Sequence, residues 1–472
     1  MAALPPPVRP AAVRTIVMGV LLAMLLASLN QTIVTTALPT LGRTLGDPAA
    51  TPWVVAAYLV AATAATPLYG KLSDIHGRRL MLSIAVCLFV VGAIACALAP
   101  TMLALIAARA LQGLGGGGLM ALSQTIIADV VAPKERPRYQ VYTAIVFVSA
   151  SLAGPMIGGL IVDHLHWSVI FWLNVPLGIL ALWRTYTALR LLPRHERPHK
   201  LDAPGALLMV GATVALMLAL SWGGRRYPWA SVEIIGLIVG SLLGWALFFR
   251  RLRTAEEPLI PLDVFDSPLV RSGVVAASLG MGSFIAFLTY APTYLETARH
   301  LSPANSGLAL MPLMAGEVVG ALIAGRVIAR FVHYKSAPMI GLLCSMAAAA
   351  AIAIDPAAIP LPAVIALMAV ISIGLGTILP VTTLSVQNAV AQHQMGVTTG
   401  ALNFFRQLSA SLLVAVFGAI LFQGAADPST LHDAAAVAAA FRWICLATAG
   451  GFAGAWLFLS RMEARPLRSG KG

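Results

Sequence analysis

Fourteen apolar runs, each bounded by charge, proline or glycine, divide the chain near residues 15–38, 52–69, 80–99, 102–124, 139–162, 168–191, 203–222, 232–250, 270–294, 304–329, 336–354, 361–386, 397–422 and 437–460. A helix needs about 20 apolar residues to cross the hydrocarbon core of a bilayer. Hydropathy within each run is uniform, whereas the strands of a membrane barrel alternate with period two. The pattern predicts an all-α polytopic membrane protein of 14 transmembrane helices. Composition closes off the soluble alternatives. Of 472 residues, 59% are hydrophobic and only 10% charged, against roughly 25% charged in a domain whose surface must be wetted. A soluble enzyme, a nucleic-acid-binding protein and a disordered scaffold are excluded together, despite a net charge of +13. Cys87, Cys96, Cys344 and Cys445 all fall inside apolar runs without metal-ligand spacing. Packing is expected of them, with no disulfide, metal or cofactor.

The basic residues assign the sides. An even number of spans puts both termini on one face. On that face lie Arg9 and Arg14, Lys71 to Arg79, Lys134 to Arg138, Arg184 to Lys200, Arg250 to Arg271, Arg326 to Lys335 and Arg461 to Lys471, together 24 of the 31 Lys and Arg residues. The opposite loops hold only Arg43, Arg225, Arg226 and Arg299. Lys and Arg accumulate on the cytoplasmic side of membrane proteins, so a multi-pass cell-membrane protein with both termini in the cytoplasm is expected.

Two segments on that face look alike. Gly70-Lys71-Leu72-Ser73-Asp74-Ile75-His76-Gly77-Arg78-Arg79 follows the second span, and a degenerate Gly325-Arg326-Val327-Ile328-Ala329-Arg330 follows the tenth. A repeat on one face is parallel, as in transporters whose halves are related about the membrane normal. The expected organisation is a six-helix half over residues 1–200, an inserted helix pair with its linker over 201–266, and a second six-helix half over 267–472. The stretch Arg190–Lys200 is expected to be the linker on the near side of the pair.

Several motifs along the chain resemble one family. Besides Gly70–Arg79 they are Arg109, Gln112 and Gly113 in the fourth span, and Gly154-Pro155-Met156-Ile157-Gly158-Gly159 in the fifth. Further along come Trp167 to Gly178, Trp222 to Trp229, and Asn403 to Leu408. In this order they resemble the major facilitator superfamily, and within it the fourteen-helix drug:proton antiporters. The first span departs from that group's usual Leu-Asp-x-Thr-Ile-Val: it reads Leu29-Asn30-Gln31-Thr32-Ile33-Val34, and Asn30 cannot titrate. The resemblance implies that Gly70, Asp74, Gly77, Arg78 and Arg79 latch the two halves, with Asp129 as a partner for one arginine. The same arginines also serve topology alone. The resemblance further implies a gating role for Gly154, Pro155, Gly158 and Gly159. Proline removes a backbone hydrogen bond and small residues allow close helix approach, which plain tight packing uses equally.

The run Gly113 to Gly118 superficially matches a dinucleotide fingerprint, but that chemistry needs a preceding strand and a helix N-terminus. Inside a span the match is false. Arg109 is a charge within a span and is expected to face a partner or a wet cavity. Arg406, with Asn30, Gln31, Gln112, Asn403 and Phe404, is assigned to a substrate cavity between the halves; it also has the reach to snorkel to the interface.

Of the 18 acidic residues, only Glu317 falls near the middle of a span. A carboxylate there is costly to ionise, which suits a proton carrier. Glu317 and Arg109 are therefore the expected coupling pair. No Gly-Lys-Ser/Thr phosphate loop is present, so an ion gradient is the expected energy source. The expected activity is efflux of amphipathic cationic drugs in exchange for protons, without catalytic residues. The alternative on the same scaffold is a dedicated exporter of one metabolite or lipid. The expected partners are small-molecule substrates, protons and the lipid bilayer, with the chain acting as a monomer.

Overall fold

The computed structural model describes residues 10–46, 50–131, 135–189, 202–224, 227–260, 262–330, 335–391, 394–422 and 434–462. Arg9, Lys134, the linker Arg190–Lys200, Arg225, Arg226 and Glu463–Lys471 lie outside the described residues. Fourteen helices in the described residues are long and apolar enough to cross a membrane. They are α1 Pro10–Thr44, α2 Thr51–His76, α3 Arg78–Ala97, α4 Met102–Val130, α5 Arg136–His164, α6 Asn174–Leu189, α7 Ala203–Trp222, α8 Val232–Thr254, α9 Pro268–Thr293, α10 Pro303–Arg330, α11 Ser336–Ile354, α12 Leu361–Ala389, α13 Met395–Phe422 and α14 Ala434–Arg461. The chain is a multi-pass membrane protein.

Local chemistry sets several of the ends. The Thr101 hydroxyl accepts from the Ala104 amide at 3.2 Å and starts α4, and Ser231 starts α8 through Ile234 at 3.3 Å. Such caps satisfy amides that a helix leaves unpaired in its first turn. The sixth span runs from Val169 to Tyr186: a turn, Val169–Trp172, is joined to α6 through Leu173, which keeps helical dihedrals of φ −57° and ψ −31°. At this joint Asn174 donates its side-chain amide to the carbonyls of Ile170 and Phe171 at 3.0 and 3.3 Å. Pro176 also has no amide to continue the ladder. Past Pro292, α9 widens into a π turn, Tyr294–Ala298.

The packing repeats itself. In the first six helices, α1 pairs with α5, α2 and α3 flank α4, and α6 lies against α1 and α3. In the last six, α9 pairs with α13, α10 and α11 flank α12, and α14 lies against α9 and α11. The two groups meet along α2 with α13 and α5 with α10. The pair α7–α8 packs on itself and reaches α2 and α13 from outside. Asp202 binds it together, accepting from the Gly205 amide at 3.2 Å and pairing with Arg251 of α8 at 3.1 Å. The face that carries Asp202, Gly77 and the end of α14 is called the basic face below, and the opposite one the far face.

Candidate functional site

Arg109 of α4 is 1% exposed and held entirely by neutral groups. Its Nε donates to the Val54 carbonyl at 2.9 Å, and its Nη1 donates to Asn30 Oδ1 at 2.6 Å and Gln112 Oε1 at 2.7 Å. The guanidinium carbon lies 4.4 Å from the centre of the Tyr58 ring, whose hydroxyl shares a hydrogen bond with Gln31. No carboxylate pairs with Arg109 among the described residues. A buried cation without a counter-charge is costly; here three oxygen dipoles and an aromatic face offset it. The glycine run makes room for this cluster. A Cβ on Gly113 would strike the Tyr58 backbone, and one on Gly115 would strike α3 at Ala85 and Phe89. The run is a packing device on both sides of α4.

At the basic face Gly77 turns the chain from α2 into α3 with φ 87° and ψ 148°. Non-glycine residues seldom adopt a positive φ. Asp74 pairs with Arg78 at 2.5 Å, and Arg78 Nε donates to Asp129 Oδ2 of α4 at 2.8 Å. The second oxygen of Asp74 accepts from the backbone amide of Val397 at 3.0 Å. Val397 lies in the first turn of α13, so the carboxylate sits at a helix N-terminus, where anions are favoured. Gly70 allows that approach, since a Cβ there would come within 2.6 Å of the Gly396 carbonyl oxygen. Arg79 takes no part: its guanidinium lies over the Tyr186 ring of α6 at 3.9 Å.

Further from the basic face the same seam is polar but uncharged. Asn403 Nδ2 donates to Gln124 Oε1 at 3.1 Å, and the Thr63 hydroxyl donates to Gln407 Oε1 at 2.8 Å. Arg406 is 7% exposed and donates to the hydroxyls of Thr382 and Thr383 at 3.1 and 2.8 Å. Phe404 is 1% exposed in this arrangement and packs on Trp245 of α8 at 5.9 Å between ring centres. Arg406 does not snorkel, because the Thr382 and Thr383 hydroxyls on α12 hold its guanidinium inside the bundle. Asn30 and Gln112 are likewise fully enclosed around Arg109, while Gln31 is half-buried.

Glu317 is half-buried in the middle of α10, one turn past Pro312. Among the described residues its carboxyl has no ion-pair or hydrogen-bond partner. Its backbone abuts Gly376 of α12, and Gly316 and Gly320 abut Ala369, Ser372 and Ile373 of the same helix. In α5, Gly154 and Gly158 pack on Thr32, Ile33 and Thr36 of α1, whereas Gly159 faces open space. Pro155 lies within the same helix. Arg109 and Glu317 sit in different groups of six and are not joined by any described contact.

Residues 20–414 match the family model described as the Major Facilitator Superfamily. The chain belongs to the Major Facilitator Superfamily. It is 34% identical over 369 residues to an uncharacterized MFS-type transporter of Mycobacterium tuberculosis, covering 78% of this chain and 53% of that protein. It is 37% identical over 273 residues to multidrug resistance protein 3 of Bacillus subtilis, covering 58% of this chain and 53% of that protein. It is 30% identical over 373 residues to the multidrug transporter protein MdtP of the same organism, covering 78% of this chain and 68% of that protein. The chain thus spans about half the length of the first two of these relatives. Among solved structures, the human organic anion transporter MFSD10 superposes with a TM-score of 0.68 at 18% identity, over 97% of this chain and 100% of that one. The proton:xylose symporter XylE superposes at 0.66 and 15% identity, over 97% and 98%. These likenesses establish the fold.

Within this superfamily member, Gln124, Thr382 and Thr383 hold the polar residues named from sequence and were not themselves singled out. Each reaches its partner from another helix, and nothing local in the sequence marks it.

Proposed function

We propose that the protein exports amphipathic, positively charged small molecules in exchange for protons, by alternating access between its two groups of six helices. The observation that carries this reading is Glu317. It is an unpaired carboxyl in the middle of α10, the helix that meets the opposite group along α5. A carboxyl so placed binds a proton or a cation, not both, which is the competition that antiport requires. The names of the Bacillus subtilis relatives, a multidrug resistance protein and a multidrug transporter, support the same reading.

The seam supports the alternating part. Cross-group hydrogen bonds run from Asp74–Val397 at the basic face to Asn403–Gln124 and Thr63–Gln407 further in. This arrangement is closed at the basic face, and the latch of Asp74, Arg78 and Asp129 holds it. Residues 1–200 and 267–472 are the moving halves, and 201–266 is a pair carried outside them. The basic bias of the loops supports a cell-membrane protein with both termini in the cytoplasm. The protein acts as a monomer on small molecules.

The test is substrate-stimulated proton movement in proteoliposomes holding the purified chain. Glu317→Gln is expected to abolish it; undiminished movement in that variant would refute the assignment. Expression in a drug-sensitive host separates a broad exporter, which protects against several unrelated dyes, from a dedicated one that protects against one or none.

A further inference from the structure

We infer that the buried layer around Arg109 binds one small monovalent anion, of the class of chloride, as the counter-ion of the Arg109 guanidinium. This site is separate from Glu317 and does not depend on what the protein exports.

Donors outnumber acceptors in that layer. A guanidinium brings five N–H donors and no acceptor. Arg109 can therefore meet Asn30 and Gln112 only through their amide oxygens, as Nη1 does at 2.6 and 2.7 Å. That forced orientation leaves the two amide nitrogens over, each two covalent bonds from an oxygen that touches Nη1. Asn30 Nδ2 and Gln112 Nε2 are both buried and have no hydrogen-bond partner among the described residues. The side chains that carry them are 0% exposed. The Cys96 thiol is a further donor, 3.8 Å from the Gln112 oxygen that Arg109 already uses. Against all of these stand three acceptors, the Val54 carbonyl and the two amide oxygens.

Negative charge is also missing. Residues 1–200 hold six of the 18 acids: Asp47, Asp74, Asp129, Glu135, Asp163 and Glu196. Asp74 and Asp129 are bound to Arg78 at the basic face. Glu135 precedes α5, and Asp163 is next to last in it. Asp47 falls in the loop after α1 and Glu196 in the linker, both outside the described residues. Among the described residues, no acid of either group of six forms an ion pair with Arg109.

Water and an anion answer these two deficits differently. Water accepts from buried amide hydrogens but leaves the charge uncompensated, and an uncompensated buried charge is strongly destabilising. An anion accepts from several N–H donors and cancels the charge as well. One guanidinium calls for one negative charge. The enclosure sets the size: with Arg109 1% exposed and both amides 0% exposed, the layer suits an ion and not an organic acid. Tyr58 closes it on another side and is wedged against α4, since a Cβ on Gly116 would strike its hydroxyl.

The ion reaches the layer from the far face. Helix α4 begins there at Met102, and Arg109 lies about two turns in. Val54 is in the first turn of α2 at the same face. Once neutral, the layer ties three helices together, because Asn30, Val54 and Gln112 come from α1, α2 and α4.

The experiment follows the thermal midpoint of the purified full chain in detergent as gluconate is replaced by chloride at constant ionic strength. Gluconate has the same charge but is too large for the enclosed layer. The midpoint is expected to rise by about 2 °C between roughly 1 and 100 mM chloride. Asn30→Asp sets a carboxylate beside the guanidinium at unchanged size. It is expected to abolish the response and to reach in gluconate the midpoint that the parent reaches in chloride. Gln112→Glu makes the same test from the other amide, independently of how well the first variant folds. Arg406→Gln removes the other buried guanidinium and is expected to leave the chloride response in place. Equal parent midpoints in chloride and gluconate overturn the proposal. A response to sulfate as large as that to chloride overturns it too, because it would mean screening at the surface. A full chloride response in Asn30→Asp and Gln112→Glu, or its loss in Arg406→Gln, would place the anion elsewhere and overturn the assignment to Arg109. None of these results bears on proton movement through Glu317, so the export reading stands or falls separately.

Discussion

The Asp74 carboxylate accepts a hydrogen bond from the Val397 backbone amide at 3.0 Å, across 323 residues of chain and from one group of six helices to the other. Its other oxygen is held by Arg78, which Asp129 holds in turn. One side chain thus joins the loop between α2 and α3 to the N-terminus of α13. Replacing Asp74 by Ala removes the cross-group bond and one of the two counter-charges of Arg78. Transport is expected to fall at least severalfold while membrane insertion is unchanged. Normal transport rates at wild-type expression would show that the contact does not govern the cycle.

Gly77 is a separate test of the same loop. Its φ of 87° with ψ 148° lies in a region that glycine alone adopts readily, at a cost of about 1–3 kcal/mol for a residue with a Cβ. No atom stands within 4 Å of where that Cβ would be, so Gly77→Ala isolates backbone strain from collision. The expected result is a lowered thermal midpoint in detergent with the Asp74–Arg78–Asp129 cluster intact. A variant as stable as the parent would mean that the loop relaxes without cost.

Lys335 closes the corresponding loop of the second group, donating to the carbonyls of Ser460 and Met462 at 2.6 and 2.5 Å at the end of α14. Burial holds its ammonium below the ordinary lysine range. The unfolded chain therefore binds more protons than the folded one just below the usual value of about 10.4, and there stability from this group rises with pH. Lys335→Met removes the titrating group and is expected to flatten that alkaline slope while lowering stability at neutral pH. Thermal unfolding at pH 8, 9 and 10 compares the two; parallel curves would exclude the linkage.

Spans were legible because a membrane demands long uniform apolar runs, and each run has its helix. The Gly70–Arg79 loop was legible as chemistry but not as pairing. Arg78 and Arg79 are adjacent in sequence, yet successive positions on a helix point about 100° apart, so one meets Asp74 and Asp129 and the other meets Tyr186. Thr382 and Thr383 beneath Arg406 were not legible, because each is a neutral residue brought from another helix. The contact of Phe404 with Trp245 was not legible for a related reason: an aromatic ring suits a cavity wall and a helix contact equally, and α8 is distant in the sequence.

That position yields the last prediction. Trp245 of α8 packs on Phe404 of α13, while Trp222 at the end of α7 packs on Trp53 at the start of α2, with ring centres 5.9 and 5.2 Å apart. The pair thus touches both groups of six, one near the basic face and one at the far face. Met209, Phe248 and Leu252 of the pair share a buried cluster with Val397 and Ala401 of α13, against which Leu68 of α2 also packs. Separating α2 from α13 at the basic face would expose that cluster. Each large side chain exposed there forfeits packing contacts, which lipid chains only partly replace. The pair α7–α8 is therefore expected to favour the arrangement closed at the basic face. Trp245→Ala is expected to shift the population toward the open one, seen as a longer spin-label distance between α2 and α13 at that face, with Trp222→Ala acting mainly at the far face. Unchanged distance distributions in Trp245→Ala would show that α7 and α8 ride on the bundle without influencing it.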